Sequence, residues 1–156
     1  MNIRNVEVDD YYKVIEVLDD WWGGRQMTHL LPRLFFEHFQ PTSFIVENDG
    51  MLSAFLIGFV SQTHPNEAYI HFVGVNPELR KSGLARQLYQ KFFDVVQDMG
   101  CNIVRCITSP ANEGSVAFHT RMGFTASVGV DYAGRSQDRI LFQKNITPEN
   151  DTGFLA

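Results

Sequence analysis

Cysteine is scarce in this chain, which has only Cys101 and Cys106 among its 156 residues. Two thiols give no disulfide framework, and their spacing, without histidines close by, is not that of a zinc site. We therefore expect both cysteines to be reduced, Cys106 to be buried in a strand, and no metal to be bound.

Long apolar runs and signal segments are also lacking. The main apolar run, residues 51–60, includes Ser53 and Gly58 and is too short to cross a bilayer. The N-terminus has no basic region followed by an apolar segment. We expect a cytoplasmic protein with no membrane partner.

Basic residues are outnumbered, with 13 Lys and Arg against 18 Asp and Glu and a formal net charge of -5. Binding to nucleic acid needs clustered cations, and the dense basic cluster of this chain is confined to residues 80–86. A nucleic-acid coat protein is therefore excluded. An acidic body suits a cationic or amine ligand.

The length and the composition, 44% hydrophobic and 20% charged, are those of one globular domain. We assign residues 1–146 to it and residues 147–156 to a polar tail that is disordered or contacts a neighbouring subunit. The sequence has neither the Gly-Lys-Ser/Thr order of a P-loop nor a Gly-x-Gly-x-x-Gly turn, which disfavours a nucleotide-binding protein.

Local patterns predict the elements of the first third. Residues 3–8 alternate as in a strand, and Asp9 is suited to cap the helix that follows. A second helix is expected over residues 28–38 with Pro32 in its first turn. Its expected buried stripe is Leu30, Leu31, Leu34 and Phe35. His29, His38 and His64 are interpreted as surface residues.

The rest of the chain alternates short strands with two further helices. A hairpin is expected around Asp49-Gly50, where positive φ is tolerated, and Gly100 is expected to end the longer helix. The predicted strands are residues 44–47, 52–62, 68–75, 103–108, 124–130 and 139–144, and the predicted helices are residues 84–99 and 115–122.

The most informative stretch is residues 73–86, where an apolar strand leads into a basic, glycine-containing loop that opens a helix. The first turn of a helix leaves backbone N–H groups unpaired and has partial positive charge, so it attracts anions. Ser82 and Gly83 allow a ligand to approach the backbone closely. Three cations surround them: Arg80, Lys81 and Arg86. The junction suits a ligand that contains phosphate.

A second informative segment, residues 112–124, follows one intervening predicted strand. The pattern Arg80-x-x-Gly83-x-Ala85 resembles the acyl-CoA-binding motif of the GNAT family of N-acetyltransferases, and residues 112–124 resemble that family's later helix. The two motifs occur in the family's order, and the resemblance extends over residues 2–145.

The resemblance implies an α/β (α+β) fold in the order βααβββαβαββ, a mixed, twisted sheet of about seven strands flanked by four helices. It also implies acetyl-CoA as cofactor, with the pyrophosphate on the loop amides and the pantetheine arm along the preceding strand. A backbone N–H near Val73 would polarise the thioester carbonyl. The residues assigned to the cofactor in this way are Val73, Gly74, Val75, Arg80, Lys81, Ser82, Gly83, Leu84, Ala85, Arg86, Asn112, Ser115 and His119.

Acetyl transfer to an amine needs a neutral amine, a stabilised oxyanion and a proton for the leaving thiolate. His119 stands where relatives have a tyrosine that protonates the sulfur. An imidazolium with a pKa of about 6.5 is a stronger acid than a phenol with a pKa of about 10, so the role is chemically retained. The alternatives are that the shorter ring acts through water or that His119 only packs. Asn112 is suited to cap this helix, a role that is compatible with binding the cofactor.

For the base, the period of two on residues 68–75 directs Tyr69, His71, Val73 and Val75 to one face, and relatives often place a base on this strand. We select His71, with Glu67 and Tyr69 as alternatives. The competing interpretation is that His71 is a core residue.

The acceptor amine is expected to contact residues 21–27 and 131–135, between the first two helices and between the last two strands. The candidates are Trp21, Trp22, Arg25 and Tyr132, with Asp131 as a further amine contact. Adjacent helical positions diverge, so at least one tryptophan is expected in the core.

These expectations combine into one functional hypothesis, an acetyl-CoA-dependent N-acetyltransferase. It would act on a primary amine of a small molecule, an amino-acid-like compound or a peptide, by direct attack in a ternary complex. The alternative is a non-catalytic acyl-CoA-binding sensor or regulatory module. Family habit and the exposed edge of the final strands favour a homodimer.

Overall fold

The computed structural model describes residues 2–147 and shows a mixed α/β architecture. In chain order its strands and α-helices are β1 (Asn2–Asn5), α1 (Asp10–Trp21), α2 (Leu34–His38), β2 (Phe44–Asn48), β3 (Met51–Val60), β4 (Glu67–Val75), α3 (Leu84–Asp98), β5 (Ile103–Thr108), α4 (Glu113–Arg121), β6 (Thr125–Gly129) and β7 (Arg139–Asn145). This order confirms the predicted fold class. Apart from Thr147, the predicted polar tail lies outside the described residues.

The seven strands form one sheet in the order β1-β2-β3-β4-β5-β7-β6. β4 and β5 are parallel, with Glu67 opposite Ile103 and Tyr69 opposite Arg105. The pairs β1–β2, β2–β3, β5–β7 and β6–β7 are antiparallel, so the sheet is mixed. Two compact units divide the chain: residues 1–59 with 70–95, and residues 60–69 with 96–156.

The first unit has a core built on one stripe of α1. Val14, Leu18 and Trp21 are buried at intervals of four and three residues, the spacing that places side chains on one helical face. They pack in a cluster with buried side chains of β2, β3 and β4, namely Ile45, Phe55, Ile57 and Phe72.

The second unit contains β5, α4, β6 and β7. Val104 and Cys106 of β5 are buried and alternate with half-buried neighbours, as a period of two requires. Cys106 is therefore in a buried strand, as predicted, and Cys101 is buried as well. Burial raises the pKa of the Cys106 thiol, which favours its unreactive protonated form.

The second predicted helix is shorter than expected. Thr28–Leu30 forms a 3-10 turn, the chain leaves helical geometry at Leu31 (φ -133°, ψ 70°), and α2 begins only at Leu34. Pro32 is the cause, because its ring disfavours the α conformation for the residue before it. The predicted buried stripe is also wrong in part: Leu31 and Phe36 are buried, whereas Leu30 and Leu34 are exposed.

The predicted cap at Asp9 is not formed. Asp9 makes no side-chain cap hydrogen bond, and the first strand ends at Asn5 rather than at residue 8. The carboxylate of Asp10 accepts the Glu7 backbone N–H at 2.7 Å instead and pairs with Arg4 through two bonds of 2.8 and 2.9 Å. The Asp10 side chain is nearly fully buried, and the positive charge of Arg4 in β1 offsets the cost of burying its carboxylate.

Several local predictions are confirmed. Asp49 and Gly50 have φ of 53° and 77° in the β2–β3 turn, and Gly100 has φ of 100° just after α3. His29, His38 and His64 are exposed. None of the helices within residues 2–147 has both the length and the apolar character that crossing a membrane requires.

Candidate functional site

Strand β4 separates core and solvent-side residues by strict alternation. Ala68, Ile70, Phe72 and Gly74 are buried, while Tyr69, His71, Val73 and Val75 are half-buried on the other face. The predicted shared face of these four residues is therefore confirmed. It is the face on which the sequence places the candidate bases.

Gly74 is needed by the core of the first unit. A Cβ atom at this position would lie 2.4 Å from the Phe55 ring. That ring stacks with Trp21 and with Phe72, at centroid distances of 6.2 and 6.0 Å. The absence of a side chain at Gly74 thus accommodates Phe55, a packing requirement that the sequence motif does not reveal.

The segment between β4 and α3 is a tight, open-faced loop. Asn76 donates its backbone N–H to Ser53 at 2.8 Å, and its side chain caps a 3-10 turn over Pro77–Leu79. Lys81 and Gly83 then take positive φ values of 69° and 89°. A Cβ atom on Gly83 would meet nothing within 4 Å, so glycine is favoured there by the backbone conformation rather than by crowding.

The amides that follow this loop are oriented to bind an anion. The first bond of α3 runs from the Gln87 N–H to the Gly83 carbonyl at 3.0 Å, which leaves the N–H groups of Leu84, Ala85 and Arg86 without an intrahelical acceptor. Lys81, Ser82, Gly83 and Arg86 are exposed around them. The helix end and the neighbouring cations together suit an anionic group such as a phosphate.

Arg80 differs from the other cations of this loop. Its Nη2 atom donates to the carbonyl oxygen of Trp21, the last residue of α1, at 2.7 Å. Sequence reasoning grouped Arg80 with the phosphate ligands because of its charge. The bond to Trp21 was not detectable from a local pattern, since 59 residues separate the partners.

His71 is held by two contacts in the first unit. Its Nε2 atom lies 2.6 Å from the Leu30 carbonyl oxygen, and its ring stacks on Phe35 at 4.3 Å. A carbonyl only accepts, so Nε2 is protonated and the neutral ring has its lone pair on Nδ1. Burial lowers the pKa of His71 and outweighs the opposite effect of the Leu30 bond. The neutral imidazole is therefore the favoured form at about pH 7.

The two alternative bases are chemically less suitable. Glu67 accepts a hydrogen bond from Arg105 Nε at 2.7 Å, which lowers the pKa of its carboxyl group. Burial, with smaller effects of Tyr132 and Cys106, raises the pKa of Tyr69 to about 12. Glu67 is thus held in an ion pair with Arg105 and Tyr69 stays protonated. Neutral His71 has an unprotonated Nδ1, which favours it among the three.

Helix α4 in the second unit begins as predicted. The Asn112 side chain accepts the Ser115 backbone N–H at 3.0 Å, which confirms it as the N-cap. Ser115 directs its hydroxyl to the His119 ring, with its Oγ 3.3 Å from Nδ1. Sequence reasoning assigned Ser115 to the cofactor and did not detect this second contact.

His119 is buried in an aromatic surround, with 6% of its surface exposed. Its Nδ1 lies 2.7 Å from the Ser115 carbonyl oxygen, which therefore accepts the Nδ1 proton, and its ring stacks on Phe142 at 4.2 Å. In the neutral form the lone pair is on Nε2. Burial lowers the pKa of His119, although the Ser115 bond partly offsets this effect. At about pH 7 the imidazolium is thus a minority species.

Both tryptophans belong to the core of the first unit. Trp21 is 8% exposed, and Trp22 is half-buried with its ring 5.0 Å from that of Phe72. Arg25 is exposed beyond Gly23 and Gly24, which both have positive φ. The expectation that at least one tryptophan is in the core is confirmed.

The loop between β6 and β7 is closed by its own hydrogen bonds. Asp131 donates its N–H to Asp138, and its carboxylate accepts the Ser136 N–H at 2.8 Å. One Asp131 oxygen is therefore occupied within the loop. Tyr132 is 52% exposed. It adds, after burial, to the rise in the pKa of Tyr69.

Within each unit the structure brings together part of the predicted site. The first unit joins the residue 80–86 loop to α1 and joins β4 to the Thr28–Leu30 turn through His71. The second unit joins His119 to Ser115 through the bond from Nδ1 to the Ser115 carbonyl oxygen. No cluster of three metal-ligating side chains occurs in residues 2–147.

The chain was compared with known proteins. The model of the acetyltransferase (GNAT) family matches residues 8–124. An L-2,4-diaminobutyric acid acetyltransferase of Nocardia farcinica is 31% identical over 84 residues, which are 54% of this chain and 44% of the relative. A mycothiol acetyltransferase of Pseudarthrobacter chlorophenolicus is 28% identical over 110 residues, 66% of this chain and 33% of the relative. The chain thus spans less than half the length of these curated relatives.

Among solved structures, the diaminobutyrate acetyltransferase of Paenibacillus lautus, in complex with L-2,4-diaminobutyric acid and coenzyme A, matches with a TM-score of 0.74 at 18% identity. The match covers 95% of this chain and 96% of that one. The two proteins share a fold.

Proposed function

The chain belongs to the acetyltransferase (GNAT) family, and from this membership we propose that it is an N-acetyltransferase that moves the acetyl group of acetyl-CoA to a primary amine. The amine attacks the thioester directly in a ternary complex. The C–N bond forms, the C–S bond breaks, the amine loses a proton and the thiolate of coenzyme A gains one.

The observation that carries this proposal is the junction between β4 and α3. Lys81 and Gly83 have positive φ and are exposed, and the amides of Leu84, Ala85 and Arg86 have no intrahelical acceptor. We assign the pyrophosphate of acetyl-CoA to these amides, with Lys81 and Arg86 as counter-charges. The pantetheine arm is assigned to the backbone of Val73 and Val75, and further cofactor contacts to Asn112 and Ser115.

His71 is proposed as the base that takes the proton of the amine. The Leu30 carbonyl fixes the proton on Nε2, so Nδ1 is the accepting atom. The lowered pKa keeps this ring neutral and ready to accept at about pH 7. Tyr69 and Tyr132 are proposed as neutral hydrogen-bonding groups for the acceptor, together with Trp22 and Arg25.

His119 is proposed as the acid that protonates the leaving sulfur from Nε2. Because burial lowers the pKa of His119, its imidazolium is a stronger acid than a free one, and transfer to a thiolate with a pKa of about 8.5 is downhill. The same shift makes the charged form scarce. Turnover that requires the His119 imidazolium should therefore decline as the pH rises.

We propose a small, amino-acid-like primary amine as the acceptor class. The curated relative named for L-2,4-diaminobutyric acid supports this choice, and the net charge of -5 favours a cationic acceptor. The protein is further proposed to act in the cytoplasm as one domain over residues 1–146. A homodimer through the edge strand β6 is proposed because Val128 in this strand and Val130 just after it are exposed, and light scattering tests it.

The test is thiol release from acetyl-CoA across diamino acids, polyamines, aminoglycosides and short peptides, with calorimetric binding of acetyl-CoA run in parallel. Turnover on diamino acids supports the proposed acceptor class. Turnover on another class supports the enzyme and overturns this acceptor. Absence of acetyl-CoA binding overturns both.

A non-catalytic acyl-CoA sensor is the second candidate, and the scarcity of charged His119 is the observation that favours it. A sensor binds acetyl-CoA but releases no thiol with any amine. Binding without turnover across the panel would therefore replace the enzyme proposal with this one.

A further inference from the structure

The C-terminal end of α1 completes its hydrogen bonds in an unusual way. Backbone N–H groups from the next residues reach the carbonyls of Leu18, Asp19 and Asp20. The carbonyl of Trp21 accepts from the Arg80 guanidinium instead, at 2.7 Å. A cation at this position also interacts favourably with the negative end of the helix dipole.

The segment after this helix end is a closed loop. Gly23 and Gly24 have φ of 68° and 88°, and the backbone N–H of Met27 returns to the Asp19 carboxylate at 2.8 Å. Both ends of residues 22–27 are thereby attached to the last turn of α1. A shift of that turn moves the whole acceptor-side segment, because a rigid helix transmits displacement to whatever its end holds.

The other end of the Arg80 contact lies in the proposed cofactor loop. Arg80 is extended (φ -62°, ψ 146°) and directly precedes Lys81, the residue with positive φ. An anion that binds the amides after Gly83 acts on this backbone. The Arg80 side chain connects that backbone to α1 within the first unit.

We propose that Arg80 is a positioning residue that couples occupancy of the residue 80–86 loop to the acceptor-side segment 22–27, rather than a ligand of the pyrophosphate. The inference rests on the proposed function, because it takes coenzyme A as the ligand of the loop. Binding of the cofactor then prepares the segment that receives the amine, and removal of the Arg80 side chain uncouples the two.

The chain supplies its own reporter for this coupling. Trp21 and Trp22 are its two tryptophans, and both lie at the helix end that Arg80 holds. Binding of coenzyme A is measured independently by calorimetry. Tryptophan emission, excited at the red edge of the indole band to avoid absorption by adenine, reports the response of the helix end.

The test compares Arg80→Met with Lys81→Met, a matched loss of one cation at the next position. We expect Arg80→Met to bind coenzyme A within about twofold of the parent while the amplitude of its emission change falls by about half or more. Lys81→Met should weaken binding about tenfold, the loss of one charge-assisted hydrogen bond, yet show the full amplitude at saturation. Far-UV circular dichroism confirms folding of both. Arg80→Leu, which also removes the donor and the charge and has the same two expectations, replaces Arg80→Met if that variant does not fold.

Two results overturn the coupling and leave the acetyltransferase proposal intact. One is an Arg80 variant that loses affinity as Lys81→Met does and keeps the full amplitude, because Arg80 would then be a phosphate ligand. The other is parent protein that binds coenzyme A without a change in emission. Parent protein that binds no coenzyme A overturns the proposed function as well, so the two failures are distinguishable.

An acceptor identified in the amine panel gives a second readout. Arg80→Met should raise the KM for the amine and leave the KM for acetyl-CoA within about twofold of the parent. A rise confined to acetyl-CoA contradicts the positioning role.

Discussion

Gly74 and Phe55 share one space in the core of the first unit, since a Cβ atom on Gly74 would lie 2.4 Å from the ring of Phe55. The ring is fully buried and stacks with two neighbouring rings, so it has little freedom to move away. Packing in the core of the first unit thus requires glycine at position 74.

Gly74→Ala should lower the free energy of unfolding by about 1–3 kcal/mol through overpacking, as measured by urea denaturation. Gly114→Ala is the matched control, because in α4 its Cβ would meet only Asn112 Oδ1 at 3.8 Å. It should be neutral or stabilising by up to about 1 kcal/mol. Equal destabilisation by both changes would contradict the packing explanation.

Asp10→Asn should destabilise the protein by about 1–3 kcal/mol at about pH 7, because it weakens the bonds to partly exposed Arg4 and to Glu7. Burial alone would raise the pKa of Asp10, but the hydrogen bonds from Arg4 and Glu7 lower it overall. The carboxylate therefore stabilises the fold above its unfolded pKa, and this contribution is lost as the pH falls through the folded pKa.

The measurement is urea unfolding of the parent and Asp10→Asn from neutral to acid pH. The difference in stability should shrink below about pH 4. Glu16→Gln, an exposed change on the same helix, serves as control and should stay within about 0.5 kcal/mol of the parent. A difference that does not depend on pH would exclude the ionised carboxylate as its source.

Gly83→Glu should abolish calorimetric binding of acetyl-CoA without unfolding the protein, because it adds a negative charge and a side chain to the proposed phosphate cradle. Gly50→Glu is matched in backbone strain and open surroundings, since φ is 77° there and 89° at Gly83. The control lies in the β2–β3 turn and should bind normally. Retained affinity in Gly83→Glu would refute the cradle.

His119→Ala should lower kcat about 100-fold or more and leave acetyl-CoA affinity within about threefold. His38→Ala, an exposed histidine of α2, should match the parent. In the parent, kcat should decline as the pH rises through the lowered pKa of His119, because the acid form disappears. A variant with the parental kcat at every pH would remove His119 from the mechanism.

The two histidines should be opposite neutral tautomers. Nitrogen-15 spectra should show the proton of His71 on Nε2 and that of His119 on Nδ1, since these atoms face the carbonyls of Leu30 and Ser115. Both should titrate below the ordinary value because burial lowers both pKa values. The unfolded chain then binds more protons, so stability falls as the pH drops below about 6.5. A titration above that value for either ring would contradict the burial argument.

Periodic patterns were enough to predict most elements. The alternation of buried and half-buried residues along β4 and β5 follows from the two-residue period of a strand. Asn112 caps α4 through a hydrogen bond to a residue three positions later. Such features depend on neighbours in sequence, which a single chain displays.

The features that sequence patterns did not reveal depend on contacts between different elements. Asp10 rather than Asp9 accepts the hydrogen bond of Glu7, because Arg4 of β1 compensates its charge. Arg80 was assigned to the phosphate because of its charge, and its hydrogen bond to Trp21, 59 residues away in the sequence, was not foreseen. The break at Leu31 is different, since the effect of Pro32 on the residue before it is local and was underestimated.

The alternation of β4 has a further consequence for how this protein can change over evolution. Phe72 and Gly74 serve the core, while His71 and Val73, one step out of phase, face the candidate chemistry. A single-residue insertion or deletion in this strand would exchange the two sets at once. Related sequences can therefore differ in β4 by substitution but not by a change of length. The two-residue alternation along this strand should be retained among them.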